Sequence, residues 1–322
     1  MEYRTFAQSN EKVSRLGFGG WGIGGTMWIG AEDKESKRVL RKAIDSGINF
    51  FDSASVYGNG RSEQLISQIE KEVGKELFIT TKIPPKNFQW PARDETPLSE
   101  AFPKQYIITM TERSLRRMNR DYVDLQQFHV WNDKWADNDE WKEAIQKLKE
   151  EGKVKYFGIS INDHQPENGI EAGKTGLIDS FQVIFNIFDQ SPADTLFPFC
   201  KDNNISIIAR VPFDEGSLTG NIKPDTVFPA NDWRNNYFKG DRKQQIWDRV
   251  QKLAKDVKDE TDSLAEAALR YTISFDEVTT VIPGMRKEKN LISNLASAEK
   301  GILSEDLLKR LKAHCWIRNF YA

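Results

Sequence analysis

A chain of 322 residues, 39% hydrophobic and 29% charged, has the balance of a soluble globular protein and is long enough for one large domain or two ordinary ones. Its net charge of −2 leaves no electrostatic footprint for nucleic acid or an anionic membrane, and no apolar run approaches the ~18 residues of a bilayer span. Two distant cysteines, Cys200 and Cys315, and only three histidines suggest neither a disulfide framework nor a metal site. With no apolar signal core in "MEYRTFAQSNEKVSRL", they point to a reducing cytoplasm.

In chain order, an apolar–turn–apolar segment from "YRTF" to "KVSRL" predicts a small hairpin ahead of a first short strand, "RLGFGG". The helix "DKESKRVLRKAIDSG" follows, with Val39, Leu40, Ala43 and Ile44 on one stripe and Gly47 as its stop. Then come strand "INFFDSA", helix "SEQLISQIEKEVG", strand "LFITTKI", helix "QYIITMTERSLRRMN", strand "YVDLQQFHV" and helix "DEWKEAIQKLKEEG". Strands "VKYFGIS" and "SFQVIFN" flank a weaker helical signal, and "ISIIARV" is the seventh strand. A long polar loop and helical stretches near 241–258 and 263–274 lead to strand "VTTVIPG", helix "KEKNLISNLASA" and a terminal helix "SEDLLKRLKAH".

The strands are short and apolar on both faces, as in a parallel sheet covered by helices. Eight such units without a dividing linker predict one α/β domain over residues 1–322, a (β/α)8 TIM barrel, with a doubly wound sheet as the alternative. "GFGGWG", Gly17 to Gly22, has the G-x-G-x-x-G spacing of a dinucleotide-binding turn. That turn needs a helix opening inside the motif and an acid ~20 residues on. Here the helix opens near Asp33, and Asp52 follows Gly22 by 30 residues, so the fingerprint is rejected. These glycines are expected to let the backbone pass close to a ligand; a merely flexible loop is the alternative.

A barrel's active site lies at the C-terminal ends of its strands. Asp52 ends the second strand, Tyr57 follows in the loop, Lys82 is near the end of the third and His129 near the end of the fourth. Singly, these read as a helix cap, a packing ring, a solvated charge and a structural imidazole. Together on neighbouring strand ends they suggest proton transfer to a carbonyl oxygen. Tyr57 would donate the proton, and Lys82, held by Asp52, would lower a phenol pKa of ~10. At ~4 Å and an effective dielectric near 20 that attraction is about 4 kcal/mol. His129 would hydrogen-bond and orient the carbonyl.

The segments "FFDSASVYGNGRSE", "ITTKI", "DYVDLQQFHV", "GKVKYFGIS", "EGSLTG" and "VIPGMR" resemble, in order, the signatures of the aldo-keto reductases. The resemblance implies a (β/α)8 barrel whose bottom is closed by a hairpin. It also implies an Asp–Tyr–Lys–His tetrad at Asp52, Tyr57, Lys82 and His129, and hydride transfer to small-molecule aldehydes or ketones. The implied cofactor is NADPH, with NADH as the alternative. The cofactor positions it implies are Gly20 and Trp21, Asp52, Ser160 and Gln182, then Arg210, Pro212, Phe213, Gly216, Leu218 and Gly220. Gly284, Arg286, Asn290 and Asn294 would hold the adenosine end, with Arg286 at a helix start suited to a 2′-phosphate.

This chain departs from the family pattern at four places. Ile161 follows Ser160, with Asn162 one further on; Asn221 follows the "LTG" segment; Ser293 precedes the last Asn; and Arg210 replaces the aromatic that usually stacks on the nicotinamide. Arg210 is expected to stack on the reduced ring or to reach an anionic or polyhydroxyl substrate group. Trp21, Trp28, Trp90 and Trp131 are expected to wall the substrate pocket, Trp131 because it lies two residues from His129. The loop "NDWRNNYFKGDRK" is read as a lid or a plain connector. Two other functions remain: a cofactor-binding regulatory subunit with little turnover, similar to potassium-channel β subunits, and a barrel isomerase or lyase without redox chemistry. Nothing in the sequence specifies an oligomeric state.

Overall fold

The structure, a computed structural model, describes residues 1–27 and 29–321. The hairpin forms as expected: β1 (Tyr3–Thr5) and β2 (Lys12–Ser14) pair antiparallel, Tyr3 opposite Ser14. It closes the N-terminal end of the sheet. Phe6 and Val13 are fully buried in one cluster with Phe50, Phe78, Leu125 and Ile208, interior residues from four barrel strands.

Eight parallel strands follow: β3 (Phe18–Gly19), β4 (Phe50–Asp52), β5 (Phe78–Ile83), β6 (Val123–Phe128), β7 (Val154–Ser160), β8 (Ser180–Ile184), β9 (Ser206–Arg210) and β10 (Val278–Val281). Each pairs with the next in chain order. The last returns to the first through bridges Leu16–Val281 and Gly19–Gly284, with Gly17 N donating to Val281 O at 2.8 Å and Val281 N to Arg15 O at 2.9 Å. That closure rules out the doubly wound alternative.

The glycines of "GFGGWG" let β3 press against its neighbours, Gly17 and Gly19 at this seam and Gly20 against β4. A Cβ on Gly19 would stand 2.8 Å from the Ile282 carbonyl, and one on Gly20 would run into the Asp52 carbonyl, to which Gly20 N donates at 2.8 Å. The close approach expected toward a ligand is made instead to the neighbouring strands. Of these glycines, Gly19 and Gly22 also reach the cavity described below.

The helices follow the sequence pattern. Asp33–Asp45 buries Val39, Leu40, Ala43 and Ile44 and carries Asp33 and Glu35 in its first turn, where they favour the helix dipole. Each large aliphatic side chain so buried contributes roughly 1.5–3 kcal/mol. Four of the described helices were not foreseen: the four-residue helices Trp21–Gly24, Leu98–Ala101 and Arg234–Tyr237, the first of which opens inside the glycine motif where a loop was expected, and Leu196–Asn203, between β8 and β9, which holds Pro198 in its first turn. A proline is tolerated there because that N–H has no helical acceptor, but it breaks the sequence signal. Beyond the terminal helix Glu305–Leu311, the chain lies back across the strand ends, with Trp316 N donating to Phe188 O at 2.8 Å. Among the described residues no helix is long and apolar enough to cross a membrane.

Candidate active site

Side chains alternate along a strand, so Phe50 and Asp52 on β4, and Phe78, Thr80 and Lys82 on β5, share the barrel interior. The first of each set fills the bottom core, and the last reaches the top. There Lys82, fully buried, places Nζ 2.6 and 2.8 Å from the Asp52 oxygens and 2.7 Å from Ser53 O. Its three N–H bonds are thereby used, and the Tyr57 hydroxyl stands at the longer distance of 3.5 Å. Gln182 Nε2 donates to Asp52 Oδ1 at 2.8 Å, which fixes the carboxylate from a third strand. His129 packs edge-on to Tyr57, ring centroids 5.9 Å apart, and Trp90 closes its other side at 6.0 Å. The four tetrad residues thus meet.

Their protonation differs from the expectation in one respect. Burial, and then the Asp52 carboxylate, hold the Tyr57 phenol well above its ordinary range, while Arg210 pulls the other way. Lys82 does not bring it down, because its charge is met at close range by Asp52. Burial likewise pulls the Lys82 ammonium downward, against the Asp52 carboxylate that supports it. Burial, with Lys82 and Arg210 behind it, holds His129 well below its usual value, so the imidazole is neutral. His129 Nδ1 is buried without a partner, and a bare lone pair is less costly there than an unpaired N–H. The proton therefore belongs on Nε2.

A cavity of about 1100 Å3 opens above these residues, within reach of a dinucleotide plus a small substrate. Asp52, Tyr57, His129, Trp21 and Trp90 line it, as do Ser160 and Gln182. From the last two strand-end loops come Arg210, Pro212, Phe213 and Gly216, then Gly284, Arg286 and Asn290. One end is basic. Arg286 donates to Ile29 O at 2.9 Å, Lys287 and Lys289 stand beside it, and burial and then the neighbouring Arg234 depress its pKa. Arg234 is aimed by Asp232 through two 2.8 Å bonds.

Several expected positions lie elsewhere. Trp131 is fully buried and stacks on Phe128, because the strand ends at Phe128 and the two-residue alternation lapses beyond it. Its indole N–H donates to Asp133. Gly20 is spent on its close approach to the Asp52 carbonyl of β4. Leu218 turns into the core, and Gly220 packs on Leu264. Asn294 sits one helical turn beyond Asn290, buried, with its Nδ2 unpaired. Trp28 lies outside the described residues. Asn162 does line the cavity, but its amide accepts from Trp131 N and donates to Gln165.

The structure also brings in residues the sequence did not single out. Trp233, from the polar-aromatic loop, packs 5.4 Å from Trp21 and lines the cavity, so that loop is part of its wall. Asp163, Glu215 and Tyr321 form a polar wall with Arg210. Arg210 Nη2 donates to Ile161 O at 3.1 Å and Asp163 Oδ1 at 2.6 Å, and the Tyr321 hydroxyl donates to Glu215 Oε1 at 2.6 Å. Next to them Arg318 pairs with Asp214. Glu215 and Tyr321 are 106 residues apart, and no local pattern announces such a pair.

Comparison with known proteins matches a family model described as "Aldo/keto reductase family" to residues 15–315. Aldo-keto reductase YhdN of Bacillus subtilis (strain 168) is 30% identical over 296 residues, 90% of this chain and 87% of that protein. A chain named as a probable voltage-gated potassium channel subunit beta from Arabidopsis thaliana is 28% identical, over 93% of this chain and 92% of its own. The solved holo form of aldo-keto reductase AKR11C1 from Bacillus halodurans superposes with a TM-score of 0.78 at 25% identity, over 98% of this chain and 96% of that one.

Proposed function

Since the chain belongs to the aldo/keto reductase family and so is a nicotinamide-dependent oxidoreductase of carbonyl groups, we propose that it reduces an aldehyde or ketone with NADPH, Tyr57 being the proton donor. A single barrel over residues 1–322 would carry the whole activity. The observation that supports this reading best is the cavity-facing Tyr57 hydroxyl 3.5 Å from a fully buried ammonium.

The cavity fits the cofactor. Its basic end offers Arg286, Lys287 and Arg234 for a 2′-phosphate, Asn290 lies alongside, and the unpaired Asn294 donor is close by. Ser160 and the free oxygen of Gln182 suit a carboxamide at the other end, and Pro212, Phe213 and Gly216 a pyrophosphate. When bound, the nicotinamide supplies the hydride to the carbonyl carbon.

The protein's own residues manage the oxygen. Neutral His129 donates from Nε2 and aligns the carbonyl. Tyr57 then protonates the developing alkoxide, whose conjugate acid is as weak as water, so a raised phenol pKa does not hinder the transfer. The phenolate left behind faces the Lys82 ammonium, and Asp52 and Gln182 keep that ammonium in place. Phe88, Trp90 and Trp21 limit water around the reacting atoms.

Tyr57→Phe should lower kcat by ~10³-fold while the NADPH Kd stays within about twofold. A variant that still reduces substrate at near-native rate overturns the assignment of the proton donor. Similarity to the potassium-channel β subunit supports a second reading, binding with little turnover. Loss of NADPH absorbance with a generic aldehyde decides between the two.

A further inference from the structure

One wall of the cavity is polar. Glu215 is 8% exposed, lines the cavity and uses only Oε1, toward Tyr321. Arg210 uses only Nη2, toward Ile161 and Asp163, and its Nε is buried without a partner. Asp163 commits one oxygen, and the Tyr321 oxygen still has lone pairs to accept with. The wall therefore offers donors and acceptors side by side in a largely buried place.

From these observations we propose that Arg210, Asp163, Glu215 and Tyr321 form a subsite for the hydroxyl groups of a neutral, polyhydroxylated carbonyl substrate whose carbonyl end reaches Tyr57 and His129. This rests on the reductase reading above. An alkyl chain would leave these polar groups without partners, at a cost. An anionic group would meet two carboxylates, while the nearby cations are committed: Arg210 to Asp163, and Arg318 to Asp214. Hydroxyls both donate and accept, and so satisfy such a wall without a net charge. The rings of Trp21 and Trp233, the latter packed 5.6 Å from the Tyr321 ring, give the C–H side of the same molecule an apolar surface. The subsite also lies near the chemistry, since Tyr57 feels the charges of both Arg210 and Glu215.

The test compares kcat/KM for D-erythrose, butanal and succinic semialdehyde in the parent enzyme, Tyr321→Phe and Glu215→Gln, all with NADPH. Differences in aldehyde hydration cancel when variant and parent are compared on the same pair of substrates. The parent should favour erythrose over both others. Each variant should lower the erythrose-to-butanal ratio by roughly tenfold, chiefly through KM, with unchanged circular dichroism. An erythrose-to-butanal ratio that stays within about twofold in both variants, or a parent that prefers succinic semialdehyde, overturns the subsite and leaves the reductase reading intact. No turnover of any of the three aldehydes with either NADPH or NADH defeats the reductase reading itself.

Discussion

The two walls of the cavity are built differently. Asp52 and Lys82 sit on paired strands, where ladder register sets their separation, and three hydrogen bonds of 2.6–2.8 Å fix the ammonium. Arg210, Asp163, Glu215 and Tyr321 come from a strand end, two loops and the C-terminal tail, and only side-chain bonds hold them together. Asp52 and Lys82 thus stand on the rigid scaffold, while Asp163, Glu215 and Tyr321 stand on segments that can change without disturbing the barrel.

The contrast can be tested by breaking each wall. Lys82→Met leaves Asp52 buried without its cation and should cost about 3–5 kcal/mol of stability along with turnover. The double variant Asp52→Asn/Lys82→Met should regain much of the stability and none of the turnover. A stable, active single variant would show that the scaffold does not depend on this pair.

The polar wall should show its strain through pH. Burial lifts the Glu215 carboxyl from an ordinary 4.5 to about 7. Between those values the folded chain holds a proton that the unfolded chain has lost, so this contribution is complete below 4.5 and fades as pH rises to 7. Glu215→Gln should therefore melt like the parent at pH 4 and be more stable at pH 8, by about 3 kcal/mol at most. Equal melting-temperature differences at both pH values would contradict the buried carboxyl.

The smallest effect belongs to the basic end. Arg286→Leu should weaken NADPH by roughly tenfold, about 1.4 kcal/mol, and leave NADH nearly unchanged in a fluorescence titration. Equal weakening of both nucleotides would mean that Arg286 supports the loop, through its bond to Ile29, rather than a 2′-phosphate.

The same division explains what could be read in the sequence. Strand alternation carries Asp52 and Lys82 to the top of the barrel once Phe50 and Phe78 are assigned to its core, and the hairpin and most helices follow from periodicity. Trp131 misled because alternation was extended past the last paired residue, Phe128. The glycines of "GFGGWG" were legible as sites of close approach, but whether a ligand or a neighbouring strand makes that approach is decided only by barrel closure. Pro198 hid a helix. Tyr321 and Glu215 left no trace, since a tail residue's partner 106 positions away is a matter of tertiary packing.

The seam between β3 and β10 has a temporal meaning. Gly19 and Gly284, which both border the cavity, meet only when the two ends of the sheet join. A nascent chain can pair each strand with the one before it, but it must expose nearly 290 residues before the two edges of the sheet can join and close the cavity. A dinucleotide spanning both glycines would act as a clasp on that joint, favouring the shut cylinder in proportion to its occupancy.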